Sequence, residues 1–278
     1  MLWELFRRSW ISAYRHDQFG TANGAAYSAL LSFFPLLATT ATILVQAKAD
    51  FVYRVVGDFL AEIVPPDTGD LVFHYFAVKG AHPVLLPVTG IVVSLWAASG
   101  IITSLMEGFR AAYGISSARS FLRERTVAIL LVFSAAIPVL AASLLMLLGA
   151  RVEHWVGSWL GFIPAGEELR GWLSLLGAMV RYLISMGAIV LGAAILYYFG
   201  PNRRQRWSRV WPGAIVATVL WLGATALFAW YVRNIANYNV LYGSIATVIA
   251  LLVWMYLLAV IAFVGCEFNA GWERACSL

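Results

Sequence analysis

The sequence predicts an all-α membrane protein with six transmembrane helices and with amphipathic interfacial helices on the outer face and at the N-terminus. Three observations carry this. The last long apolar run, Tyr242 to Cys266, lies in a stretch from Asn234 to Cys266 that holds no charged side chain. About 20 helical residues at roughly 1.5 Å each cross the hydrocarbon layer, and nothing in water needs so long a charge-free helix. The composition agrees: of 278 residues, 62% are hydrophobic and 12% charged, with a mean hydropathy of +0.80, where a soluble domain carries about 25% charge. Finally, arginines gather in alternate connections between the apolar runs. A single membrane domain, 1–278, follows, because no polar stretch is long enough to build a second core.

The elements justify this one by one. Met1 to Asp17 sets Trp3, Phe6, Trp10 and Tyr14 on one helical face against Arg7, Arg8 and Arg15, the pattern of a helix lying in the headgroup plane. The first span, about 22–47, has Pro35 in its middle, which predicts a kink near Leu31 with Ser28 and Ser32 satisfying the freed backbone groups. Lys48 to Pro83 alternates an apolar face with Asp50, Arg54, Asp58 and Glu62, so it reads as a helical hairpin on the membrane surface. The second span, 84–106, presents Gly90, Ser94 and Ala98 as a small-residue face. The third, 127–149, carries Pro138, and Ala150 to Trp172 repeats the amphipathic pattern. Spans at 173–199, 210–232 and 241–266 complete the set. Pro35 and Pro138 are the hinge candidates.

Six spans put both termini on one side. Leaving Arg181 aside, 12 of the 19 Lys and Arg residues then fall on the side of the termini and 6 on the other. The positive-inside rule places both termini in the cytoplasm of a bacterial inner membrane. No cleavable signal is evident, so the first span is expected to act as its own signal. The two cysteines, Cys266 and Cys276, are read as inert thiols in a reducing compartment.

Several stretches resemble one family. They are Ala25-Ala26-Tyr27-Ser28-Ala29-Leu30-Leu31-Ser32-Phe33-Phe34-Pro35, Leu95-Trp96-Ala97-Ala98-Ser99-Gly100 and Ala112-Tyr113-Gly114-Ile115. Pro201-Asn202-Arg203-Arg204, Trp211-Pro212-Gly213-Ala214, Ala236-Asn237-Tyr238, Tyr242-Gly243 and Gly265-Cys266-Glu267-Phe268-Asn269-Ala270 follow in order. Together they resemble the YihY/BrkB membrane proteins, once widely labelled ribonuclease BN. The resemblance runs nearly end to end and implies a six-span helical protein of the bacterial inner membrane. It carries over no established reaction and no catalytic set. Cys266 departs from the aliphatic or small residue expected there.

Metal-assisted phosphodiester cleavage needs clustered His, Asp and Glu ligands. The four histidines, His16, His74, His82 and His154, show no such spacing and fall on opposite sides of the membrane. No Walker A loop, nucleophile elbow or dinucleotide fingerprint occurs. The expectation is therefore no enzyme, no cofactor, no metal and no nucleic-acid partner.

What remains is polar groups in apolar runs. Arg181 lies within a span, where an arginine costs roughly 2.5–3.5 kcal/mol near the centre. It either binds an anion or snorkels to the outer interface about two turns away. Asn23 and Tyr27, Trp96 and Ser99, and Ser244 and Thr247 line three helix faces and are candidates for a central cavity, or for packing between helices. Arg203, Arg204, Arg206 and Arg209 with Trp207 form a candidate contact for anionic lipid on the inner face. Either Glu267 or Asn269 could pair with an arginine of the inner loops, a lock more often structural than catalytic. The leading expectation is a transporter or lipid-handling protein that moves a lipid, amphiphile or small anionic solute without ATP hydrolysis. A non-transporting scaffold in envelope assembly is the alternative, and a homo-oligomer is compatible with either.

Overall fold

The computed structural model describes residues 2–46, 85–116, 119–159, 171–234 and 244–276. They form seven α-helices: α1 (Leu2–Arg15), α2 (Gln18–Gln46), α3 (Leu85–Ala112), α4 (Phe121–Trp159), α5 (Gly171–Phe199), α6 (Trp211–Asn234) and α7 (Ser244–Cys276). A single 3-10 turn, Trp207–Arg209, precedes α6. The expected surface hairpin at 48–83 lies outside the described residues, as does 160–170.

Among the described residues, five stretches are long and apolar enough to cross a membrane: Val88–Ala112, Phe121–Gly149, Leu175–Phe199, Trp207–Tyr231 and Val248–Cys276. The 29-residue α2, free of charged side chains, stands beside them. Several helices run further than their charge-free runs. Helix α3 continues six residues past the expected end at Met106 because Phe109 and Ala112 are buried. It stops at Gly114, whose φ of 64° suits a residue without Cβ. There Ile115 N–H donates to the Arg110 carbonyl and Gly114 N–H to that of Ala111, the Schellman arrangement. Helix α4 begins at Phe121 and runs to Trp159, so the first part of the expected separate amphipathic segment continues it. Nothing between Gly149 and Trp159 breaks a helix. Helix α7 passes its expected end at Cys266 and reaches Cys276.

The helices pack in chain order. Neighbours α2 and α3, α3 and α4, α4 and α5, α5 and α6, and α6 and α7 touch, and α7 closes on α2. Helix α7 also meets α1 and α3, which makes it the hub. Hydrocarbon gives apolar helices no reason to prefer each other over lipid, so close approach through small residues decides the pairing. Between α2 and α3 these are Gly24 against Ser104, Ser28 against Gly100 and Thr39 against Gly90. Of the expected small face, Gly90 meets Thr39 and Ser94 is buried, and Gly100 extends it. Between α6 and α7 the backbones themselves meet, Gly213 against the Gly265 carbonyl.

Helix α2 runs through Pro35 and α4 through Pro138 without interruption. Ser32 donates to the Ala29 carbonyl at 2.9 Å, while the Ser28 side chain faces Gly100. The N-terminal helix α1 packs on α7 and α2. Its Ser9 and Ala13 are buried, and Trp3 and Tyr14 are exposed. Asp17 makes the tight turn into α2 at a φ of 50°, a conformation that aspartate tolerates better than most side chains.

Replacing Gly265 by Leu should lower the thermal unfolding midpoint of the detergent-solubilised protein by several degrees, because overpacking costs about 1–3 kcal/mol or more. Gly187→Ala, where nothing lies within 4 Å of the added methyl, should leave the midpoint unchanged or raise it.

Candidate functional site at the basic end of the bundle

Every residue from Phe263 to Ala270 is buried. Eight helical residues turn through more than two full circles, so α7 here is enclosed on all sides. Polar side chains inside such a segment need partners, and three residues find theirs on three different neighbours.

Glu267, 1% exposed, directs Oε1 at the α1–α2 junction. His16 Nδ1 meets it at 2.5 Å and Gln18 Nε2 donates to it at 2.8 Å. Gln18 Nε2 donates its other hydrogen to the Gly108 carbonyl of α3 at 3.1 Å, so the amide orientation is settled by two acceptors. Gln18 Oε1 and Glu267 Oε2 are both buried without a hydrogen-bond partner among the described residues.

Asn269, fully buried, caps α6 from outside. Its Oδ1 accepts from Gly213 N–H at 2.6 Å and its Nδ2 donates to the Val210 carbonyl at 3.0 Å. Helix N-termini leave N–H groups unpaired, and Val210 has no side-chain acceptor to serve them. Neither Glu267 nor Asn269 pairs with an inner-loop arginine, contrary to expectation. That role falls to Glu273, which accepts from Arg203 at 2.6 Å and from Arg209 at 2.8 Å. The Arg203 guanidinium lies 4.3 Å over the Tyr113 ring. Burial holds the Tyr113 phenol well above its ordinary value, which keeps it a neutral platform for the cation.

The arginines around α5 serve its end. Arg119 donates to the Phe199 and Gly200 carbonyls, and Gln205 to those of Tyr197 and Tyr198. A cation beside exposed helix-terminal carbonyls is favourable. Between α1 and the end of α7 lies a groove of about 490 Å³, lined by Arg8, Ser9, Ser12, Arg15, Glu267 and Arg274 among others. Arg15 and the serine hydroxyls can meet an anionic group, while Arg8 is held by Glu4 at 2.5 Å and Glu267 adds an acid to the wall.

The residues singled out from sequence separate into five groups. Asn23 is exposed, as are Tyr27 (60%) and Trp96 (55%), so they line no enclosed space among the described residues. Ser99 is buried and bonds the Trp96 carbonyl at 2.6 Å. Ser244 and Thr247 sit in the first turn of α7, their side chains outside the described part. The Arg181 stem lies across Gly149, where a missing Cβ leaves it room between α4 and α5. The basic loop divides: Arg203 and Arg209 hold Glu273, while Arg204, Arg206 and Trp207 are exposed. Trp207 also packs edge-on against Tyr198 and Trp211.

Sequence reading missed Gln18, Glu273 and Arg125. Gln18 opens a charge-free run and Glu273 follows one, positions that signal a boundary and nothing more. Arg125 falls between the expected spans 84–106 and 127–149, yet it lies inside α4.

The virulence factor BrkB family matches residues 10–277. The ribonuclease-like protein YfkH of Bacillus subtilis (strain 168) is 30% identical over 96% of this chain and 93% of its own length. A UPF0761 membrane protein of Alteromonas mediterranea is 30% identical over 92% of this chain and 83% of its own. One from Chlorobium luteolum is 29% identical over 91% of this chain, which spans 56% of that relative. No solved structure matches.

Asn269→Ala should destabilise the detergent-solubilised protein by about 1–3 kcal/mol, because the buried Gly213 N–H loses its acceptor. Glu273→Gln should cost a similar amount, about 1.5–3 kcal/mol for bonds between charged groups, seen as a lower unfolding midpoint. Added salt should narrow the gap between Glu273→Gln and wild type and leave that of Asn269→Ala as it is.

Proposed function

The chain belongs to the virulence factor BrkB family, and from that premise we propose a six-span inner-membrane protein that moves a lipid, amphiphile or small anionic solute without ATP hydrolysis. In this reading α2 is the span that accompanies the five other apolar stretches, and both termini are cytoplasmic. The chain performs no chemistry on its substrate and takes no nucleic acid as partner; membrane lipids are its partners. The observation that carries the proposal is the groove between α1 and α7. It combines Arg8, Arg15 and Arg274 with serine hydroxyls at the end of the bundle where the basic connections gather. A volume of about 490 Å³ falls in the range of roughly 300–1,000 Å³ usual for ligand sites.

A scaffold in envelope assembly is the second reading. It is favoured by the enclosed run Phe263 to Ala270, where packing leaves no space for a solute. The ribonuclease-like name of the Bacillus relative is the least favoured. His16, the histidine whose contacts are described, is engaged with Glu267.

Two measurements test the proposal. In intact spheroplasts a membrane-impermeant thiol reagent should leave the exposed Cys276 unmodified and label it after permeabilisation, while the buried Cys266 stays unmodified in both. Labelling of Cys276 from outside would reverse the orientation. Purified protein in liposomes should speed transbilayer movement of a fluorescent anionic phospholipid or amphiphile. The Arg8→Gln/Arg15→Gln pair should slow it about tenfold or more, since each charged contact is worth roughly 1.5–3 kcal/mol. No movement across a panel of lipids, amphiphiles and small anions would support the scaffold.

A further inference from the structure

Most charged side chains inside the described bundle meet a partner directly. Arg110 pairs with Glu124, Arg203 and Arg209 share Glu273, and Arg125 donates to the Trp96 carbonyl near the centre of α3 at 3.0 Å. The cluster of His16, Gln18 and Glu267 differs, because it is short of hydrogens. Gln18 Nε2 gives one of its hydrogens to Glu267 Oε1 at 2.8 Å and the other to the Gly108 carbonyl at 3.1 Å. One more lies between His16 Nδ1 and Glu267 Oε1, since bare lone pairs 2.5 Å apart would repel. Glu267 Oε2 and Gln18 Oε1 stay buried with no donor among the described residues.

Such a cluster has a place for one further proton. Without it, the pair of His16 and Glu267 is an imidazole and a carboxylate and carries a single negative charge. With it, the pair is neutral overall, as imidazolium and carboxylate or as imidazole and carboxylic acid. In the second form the added hydrogen sits on Oε2, which then donates where before it only accepted. A proton needs no cavity, and here it has a way in. The His16 side chain is 38% exposed and that of Glu267 is fully covered, so the imidazole joins water to the buried carboxyl. Histidine is also the side chain whose ordinary titration falls near neutral pH.

The position of the pair gives that proton a consequence. Glu267 is the one acid lining the groove between α1 and α7, beside Arg15, Arg274, Ser9 and Ser12. Its negative charge works against an anion there, and a proton on the pair removes that opposition. The other charged or titratable groups around the pair are Arg8, Arg15 and Asp17 on the α1 side, Tyr113 after α3, and Cys266 and Arg274 on α7. Helix α2 and the start of α6 supply none. An anion in the groove and a proton on the pair therefore favour each other, by the same factor in each direction.

We propose that the groove takes its anion together with one proton, held by His16 and Glu267. This co-binding rests on the groove as the site of the transported anion, and it gives a carrier that hydrolyses no ATP a way to use a proton gradient. Anion affinity then rises as pH falls, by up to about tenfold per pH unit while the pair titrates.

Titration calorimetry of the purified chain in neutral detergent, between about pH 5.5 and 8, tests this with two anions of constant charge over that range, dioctanoylphosphatidylglycerol and sulfate. Repeating each titration in buffers of different ionisation enthalpy counts the protons taken up. Wild type should bind at least one probe more tightly at lower pH, with uptake of up to one proton per anion. Phosphatidylglycerol binding alone assigns an amphiphile; sulfate binding with the same proton uptake assigns a small anion. Glu267→Gln, whose amide has the shape of the protonated carboxyl, should bind at every pH as wild type does at the lowest, and take up no proton. Arg15→Gln should weaken binding about tenfold at every pH. Wild-type binding without net proton uptake, or a wild-type pH profile in Glu267→Gln, overturns the co-bound proton and leaves the groove an anion site. Undiminished binding by Arg15→Gln, or no saturable binding of either probe at any pH, overturns the groove and the proton with it. Should Glu267→Gln fail to fold, His16→Gln decides: the pH at which affinity changes should move by about one unit or more, and an unmoved profile overturns the pair.

Discussion

The backbone contact between α6 and α7 at Gly213 and Gly265 is the constraint on which the basic end depends. Two helices cannot come this close with side chains between them, and lipid supplies no hydrophobic push to hold them together. What holds them is dispersion over a tight seam, plus hydrogen bonds that need that closeness. Asn269 reaches the first turn of α6 only because the glycines bring the helices within its short span. Tyr197 of α5 reaches the Ala262 carbonyl at 2.8 Å because Gly265 has no Cβ where the Tyr197 hydroxyl lies.

Enclosure of α7 then dictates what its polar residues do. A buried carboxylate in a membrane protein must be compensated nearby, and Glu267 recruits the α1–α2 junction to do it. That interaction draws the N-terminal helix onto the C-terminal one, and the groove between them is a consequence. Glu273, one and a half turns further along, ties the 201–209 connection to the same helix and brings Arg203 over Tyr113. The basic connections are thereby held as built structure, not as loose charged loops, with Arg204 and Arg206 left facing outward.

The sequence by itself determined the class of the molecule. Hydropathy and helix length report average surroundings, and long apolar runs are legible wherever lipid is the solvent. The motif residues Gly213, Gly265, Glu267 and Asn269 could be marked as special, though the partner of each stayed hidden. Glu267 and His16 are 251 positions apart, and no local pattern encodes that meeting. Arg125 is hidden for a related reason: a helix that starts before its apolar stretch looks, residue by residue, like a connection. Only the tertiary structure decided that Arg125 turns to the centre of α3, that Glu273 and not Glu267 receives the arginines, and that Asn23, Tyr27 and Trp96 stay exposed. Side-chain partners across helices depend on how closely backbones approach and at what rotation. Those follow from small residues packing in three dimensions, which periodicity along one chain does not register.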